Sequence, residues 1–224
     1  MNEAKHNKST RYVYYIEGAG GSGKTRLSRE LGVLLSDGNP LHIAPIPLPG
    51  INSHFTNDYD NEPVSILDTI TLYPFIHQSF KTIFDNHMPS PISYKNKIVK
   101  WSPSYVLLIN SEKLETYFTQ LIEKEDSKLV DTNGCVVQTL EAQDLLSQLN
   151  RRVTCVFYLE TSGYCQMRVR TSYQSNFKTK AGSYAELYGF NNVKEFNFGT
   201  LREEKNVKAL ARALYNELGK QMLR

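Results

Sequence analysis

Cysteine is scarce in this chain: Cys135, Cys155 and Cys165 are the only three among 224 residues. An odd number without C-x-x-C spacing argues against a disulfide framework or a zinc ribbon, and suits buried thiols in a reduced compartment. Long apolar runs are missing as well, none approaching the roughly 20 residues of a membrane-spanning helix. The opening stretch, 1–11, is polar and basic and lacks the apolar core of a secretory signal. It is expected to be a disordered tail on an intracellular, cytoplasmic protein that has no membrane partner. Charge of one sign is weak: a net charge of +3 is too little to argue for nucleic acid as a partner, although it leaves lysines and arginines for an anionic substrate. His42, His54, His77 and His87 show no metal-ligand spacing. With 40% hydrophobic and 22% charged residues, the chain has the composition of an ordinary globular protein, and residues 12–224 read as one domain.

Against that background one stretch stands out. Tyr12 to Ile16 is an apolar, aromatic run with the character of a buried strand. Gly18-Ala19-Gly20-Gly21-Ser22-Gly23-Lys24-Thr25 follows at once and meets every position of the phosphate-binding pattern G-x-x-x-x-G-K-[ST]. Glycines let successive backbone N–H groups turn inward on an anion. Lys24 is placed to reach the β- and γ-phosphates, the Thr25 hydroxyl to ligate Mg²⁺, and the following helix to direct its positive end at the phosphates. The reading is a P-loop that binds ATP with Mg²⁺.

Further along, Arg26 to Leu35 has helical spacing and Gly38-Asn39-Pro40 stops it. Leu41 to Ile46 reads as a second strand, and Ile51 to Asn61 as an irregular loop. Ser65 to Phe84 carries apolar residues at helical intervals, and Asp85 to Asn96 reads as loop. Lys97 to Trp101 is a short strand. Ser102-Pro103 then has the form of a cap opening a helix toward Asn110, with further helices at Leu114 to Lys124 and Leu140 to Leu149. Arg152 to Leu159 is apolar almost throughout, as a strand covered on both faces should be. Thr161-Ser162-Gly163 is expected to cap a helix bearing Met167, Arg168 and Arg170, which leads into a basic lid over about 166–182. A short helix (Tyr184 to Tyr188), a last strand (Val193 to Phe198) and a long closing helix (Leu201 to Leu223) complete the pattern. Strands alternating with helices predict an α/β fold: a P-loop NTPase of three layers, α/β/α, with a central parallel sheet of about five strands and a helical lid. No acidic residue is read as closing a clear apolar strand, which favours small-molecule kinases over motor-type or switch-type ATPases and GTPases.

Ile16-Glu17-Gly18-x-x-Gly21-Ser22-Gly23-Lys24-Thr25 resembles the opening of the deoxynucleoside kinases, including the herpesvirus-type thymidine kinases. His77-Gln78-Ser79-Phe80, Lys97 to Ser102, Val156 to Ser162 and Arg168-Val169-Arg170 are similar, in order, to four weaker segments of that family. The resemblance spans about Tyr12 to Arg170. It implies transfer of the γ-phosphate of ATP to the 5′-hydroxyl of thymidine or another pyrimidine deoxynucleoside, in nucleotide salvage for DNA synthesis. Its partner would be a small-molecule nucleoside, and both a homodimer and a viral origin are compatible with it. Glu62, in Glu62-Pro63-Val64, matches the letters of the family's general-base motif, and Asp85 is the second candidate for that base. Arg168 and Arg170 correspond to lid arginines that stabilise the transferring phosphoryl group. Gln78 corresponds to the glutamine that reads the nucleobase edge, with Tyr73 and Trp101 walling the base. Departures are plain: Lys100-Trp101 stands where the family has Glu-Arg, and the Glu62 motif lies some fifteen residues later than the pattern requires. The alternatives are a thymidylate-type monophosphate kinase and a nucleotide-binding protein of the same fold without catalysis.

Overall fold

The structure is a computed structural model that describes residues 11–44, 58–68, 90–94, 97–114, 116, 152–170, 175–178, 184–187 and 190–222. Within these, strand β1 (Tyr12–Gly18) leads through the glycine-rich loop into helix α1 (Lys24–Leu35). Next come β2 (Leu41–Ile43), β3 (Val64–Leu67), β4 (Ser90–Tyr94), β5 (Lys97–Trp101) and β6 (Tyr105–Ile109). The remaining elements are β7 (Val153–Leu159), β8 (Tyr164–Arg170), β9 (Ser175–Lys178), β10 (Tyr184–Leu187), β11 (Phe190–Asn197) and helix α2 (Glu204–Met222).

Seven strands form one mixed sheet in the order β11-β8-β7-β1-β6-β3-β2, so the architecture is α/β. From β7 to β2 every neighbouring pair is parallel, whereas β8 and β11 add to the β7 edge antiparallel. Two hairpin ribbons, β4–β5 and β9–β10, stand outside this sheet.

Period-two alternation divides each central strand between two faces. Tyr14 and Ile16 of β1, Leu107 and Ile109 of β6, Ile66 of β3 and Phe157 of β7 share a core with Leu27 and Leu31 of α1. Helix α2 adds Val207, Leu210, Ala211, Leu214 and Leu218 to that core, a helical stripe in which each fully buried leucine contributes about 1.5–3 kcal/mol. On the opposite face Val13, Tyr15, Val106, Leu108 and Val156 are buried too. Being buried on both faces is why these strands read as continuous apolar runs. Among the described residues, no helix is long and apolar enough to cross a membrane.

Several expected elements change type. Tyr105–Ile109 is a central strand, not a helix opened by Ser102-Pro103. Its Tyr-Val-Leu-Leu-Ile run is short and wholly apolar, and such a run carries no periodicity to separate strand from helix. The segment after Gly163 is likewise strand β8. Cys165, Met167 and Val169 alternate with Gln166, Arg168 and Arg170, a period of two that the helix assignment overlooked. Gly163, at φ 89°, makes the turn between β7 and β8, where a Cβ would stand 1.7 Å from the Gly199 carbonyl oxygen. The expected lid over 166–182 is therefore not a helix where it is described: 164–170 is sheet, and Ser175–Lys178 pairs with Tyr184–Leu187, itself expected to be a helix. Ser65 to Leu67, expected to begin a helix, belongs to β3, and Ser90 to Tyr94, expected to be loop, is a strand.

One core group is badly served. The Tyr14 hydroxyl is buried and has no hydrogen-bond partner among the described residues, and burial pushes its pKa far above the ordinary phenol value. Removing an unsatisfied buried hydroxyl relieves roughly 1–3 kcal/mol of desolvation. Tyr14→Phe should accordingly raise the melting temperature by about 2–4 °C or more. A fall in Tm on calorimetry would mean that the hydroxyl is satisfied.

Candidate functional site

The parallel strands present their carboxyl ends at one edge of the sheet, where open α/β sheets place ligands. The glycine-rich loop leaves that edge from β1. Its first residue, Gly18, has φ 146°, and a Cβ there would lie 2.1 Å from the Leu159 carbonyl oxygen, so only glycine fits between β1 and β7. Gly23, at φ 93°, caps α1 without a side chain, leaving the first N–H groups of the helix directed at the loop. Ala19, Gly20 and Gly21 are exposed, whereas Ser22 is buried. The Ser22 Oγ has no hydrogen-bond partner among the described residues.

Lys24 lies across the loop, donating to the carbonyls of Gly18 (2.6 Å) and Ala19 (2.9 Å). Burial lowers its pKa below the ordinary lysine value, and the Asp68 carboxylate pulls it partly back. Thr25 Oγ1 donates to Asp68 Oδ2 at 2.6 Å. Asp68 follows directly on β3, so Val64-Ser65-Ile66-Leu67-Asp68 is an apolar strand closed by an acid. That corrects the expectation that the chain lacks one. The signal was present as four strand-compatible residues after Pro63. It was obscured because Ile66 and Ile70 also fit helical spacing.

Between β1 and β3 runs β6, followed directly by Asn110, whose N–H donates to the Ile16 carbonyl (3.0 Å). The Asn110 Oδ1 accepts the N–H of Glu112 at 3.2 Å. Lys24, Thr25, Asp68 and Asn110 thus gather at the carboxyl ends of three adjacent strands. A hydroxyl and a carboxylate oxygen in contact form a hard-oxygen pair suited to Mg²⁺, which takes one or two protein ligands and completes its shell with phosphate and water. The buried Ser22 hydroxyl and the positive-φ glycines fit a phosphate chain in the same cradle.

Of the residues expected on the acceptor side, neither Glu62 nor Trp101 is brought there. Glu62 precedes β3 at its amino end, beside the start of β1, since Val64 pairs with Tyr105 and Tyr105 with Tyr12. At about 3.3 Å per residue, Glu62 is roughly 15–20 Å from Asp68 along the strand axis. Its Oε2 accepts the N–H of Asp60 at 2.7 Å, a local turn contact. Trp101 is fully buried near that same end, its ring 4.7 Å from that of Tyr59 and 5.8 Å from that of His42. The guanidinium of Arg11 donates to the carbonyls of Trp101 (3.0 Å) and Pro103 (3.1 Å). Trp101 therefore packs, with no exposed surface, at the base of the β4–β5 ribbon and away from the glycine-rich loop. Arg168 and Arg170 sit on β8, where positions two apart share a face, unlike on the helix expected for them. Arg168 is ion-paired with Glu17, and Arg170 lies farther toward the amino end of the sheet. Tyr73, Gln78 and Asp85 fall outside the described residues.

Comparison with known proteins finds no matching family and no significantly similar curated protein.

Proposed function

We propose that this chain is a magnesium-dependent nucleoside triphosphatase of the P-loop type that passes the γ-phosphate of ATP to water. The observation that carries the reading is the 2.6 Å contact between Thr25 and Asp68 beneath the glycine-rich loop. P-loop NTPases hold Mg²⁺ by a loop Ser/Thr and an acid closing an apolar strand. In this reading the loop N–H groups and Lys24 bind the phosphate chain. Thr25 and Asp68 supply the oxygen ligands for the metal, which would neutralise charge on the β- and γ-phosphates. Asn110, directly after the strand between, would be the residue to orient the attacking water by hydrogen bonding.

The deoxynucleoside-kinase alternative rests on Ile16 to Thr25 and on the four weaker segments that follow it in order. Its expected base, Glu62, is at the wrong end of the sheet. A second feature bears on what hydrolysis drives. The stretch 90–101 carries Lys95, Lys97 and Lys100 with no acid, and its strands β4 and β5 pair as an antiparallel ribbon. A basic two-stranded ribbon suits a polyanion such as nucleic acid, contrary to the expectation drawn from net charge alone.

The test is product analysis with labelled ATP and Mg²⁺, alone, with each deoxynucleoside or monophosphate, and with single-stranded DNA or RNA. Inorganic phosphate without any acceptor, unchanged in Glu62→Gln and faster with nucleic acid, is the expected result. Labelled deoxynucleotide as the product, lost in Glu62→Gln, would replace this reading by the kinase one.

A further inference from the structure

Glu17 is an unusual neighbour for a loop that binds anions. It directly precedes Gly18, is 1% exposed, and both of its carboxylate oxygens are engaged. Oε2 accepts the backbone N–H of Leu114 at 2.7 Å. Oε1 takes the guanidinium of Arg168, which reaches across β7 from β8, a span of about 10 Å between strand axes.

The Leu114 contact is one of three that fasten the turn after β6 to β1. Asn110 N–H donates to the Ile16 carbonyl, and the Tyr15 hydroxyl donates to the Glu112 carbonyl at 3.0 Å. Three consecutive residues of β1 therefore hold the Asn110–Leu114 turn, and the last of them is bonded covalently to the first glycine of the loop. The loop's first glycine and the Asn110 turn are thus fastened to the same strand.

The electrostatics add a second role. A bare carboxylate one residue from the cradle would repel a triphosphate, and at this depth solvent screens it little. Arg168 offsets that charge while the carboxylate also accepts from Leu114.

We propose that Glu17 and Arg168 are a positioning pair for the nucleotide site. Glu17 sets the Asn110 turn against the loop, and Arg168 neutralises Glu17 so that the phosphate chain can approach. The proposal rests on the triphosphatase reading.

The experiment measures the Kd of Mg-ATP for wild type, Glu17→Gln, Arg168→Met and the double variant, with melting curves alongside. One unit of charge near the cradle is expected to change affinity about three- to tenfold. Arg168→Met should bind more weakly by that factor and Glu17→Gln more tightly. The double variant, again neutral, should return to within about twofold of wild type. Because Arg168→Met leaves a buried charge alone and risks misfolding, Glu17→Gln provides the sign by itself, and Arg168→Lys should stay close to wild type. A pair that serves only to hold the fold would weaken binding in every variant in step with lost Tm. Weaker binding by folded Glu17→Gln, or a double variant no nearer wild type than Arg168→Met, overturns the proposal. Absence of binding by the wild type would instead overturn the nucleotide reading itself.

Discussion

Lys24→Ala should lower ATP turnover by about a thousandfold, the largest loss expected of any single substitution outside the core. The ammonium is buried across the loop, within 3 Å of two loop carbonyls, and nothing else among the described residues of the cradle brings a full positive charge there. When a triphosphate fills the cradle, that charge has to move from the Gly18 and Ala19 carbonyls to the phosphate oxygens. Its burial makes the exchange favourable, because a desolvated ammonium gains more from an anion than from neutral carbonyls. The loss should fall mostly on kcat, since the backbone N–H groups still hold the phosphates and charge develops on them in the transition state. Steady-state kinetics with a folded Lys24→Ala variant checks this; turnover within tenfold of wild type would remove the loop from catalysis.

Asp68→Asn is the second large effect, with kcat expected to fall by about 10²–10³. Asparagine keeps the shape and can still accept the hydrogen bond from Thr25, so the fold and α1 should be unaffected. What is lost is one negative charge on a ligand for a hard divalent cation. The Mg²⁺ concentration for half-maximal rate should therefore rise along with the fall in kcat, while binding of ATP measured without metal should tighten by about three- to tenfold as one repelling charge is removed. A variant that loses rate at an unchanged Mg²⁺ requirement would move Asp68 from metal ligation to some other duty.

The two substitutions differ in how visible their residues were. Lys24 belongs to an eight-residue pattern whose glycines serve backbone geometry that no other residue supplies, so strand, loop and helix were legible together from Tyr12 to Leu35. The stripe in α2 and the apolar run of β7 were equally plain, because each is long enough to show its period. Asp68 was hidden by brevity. Val64–Leu67 is four residues, too few to separate a period of 2 from one of 3.6, and the following Ile70 invited a helix. Tyr105–Ile109 failed in the same way, helped by a proline placed like a helix opener. Arg168 and Arg170 are legible as chemistry, but the element that carries them is strand β8 and not the expected helix. The pairing of Arg168 with Glu17 joins residues 151 positions apart, and no local pattern encodes such a contact. Glu62 shows the converse error: three letters match a motif, while sheet direction places it at the end away from the glycine-rich loop.

The most direct test of the magnesium–nucleotide site is calorimetric titration of the wild-type protein with ATP or a non-hydrolysable analogue, with and without Mg²⁺. The expected result is one site per chain, tighter by at least about tenfold with Mg²⁺, with that metal-dependent gain abolished in Asp68→Asn. Binding that ignores Mg²⁺, or a gain that persists in Asp68→Asn, would contradict it.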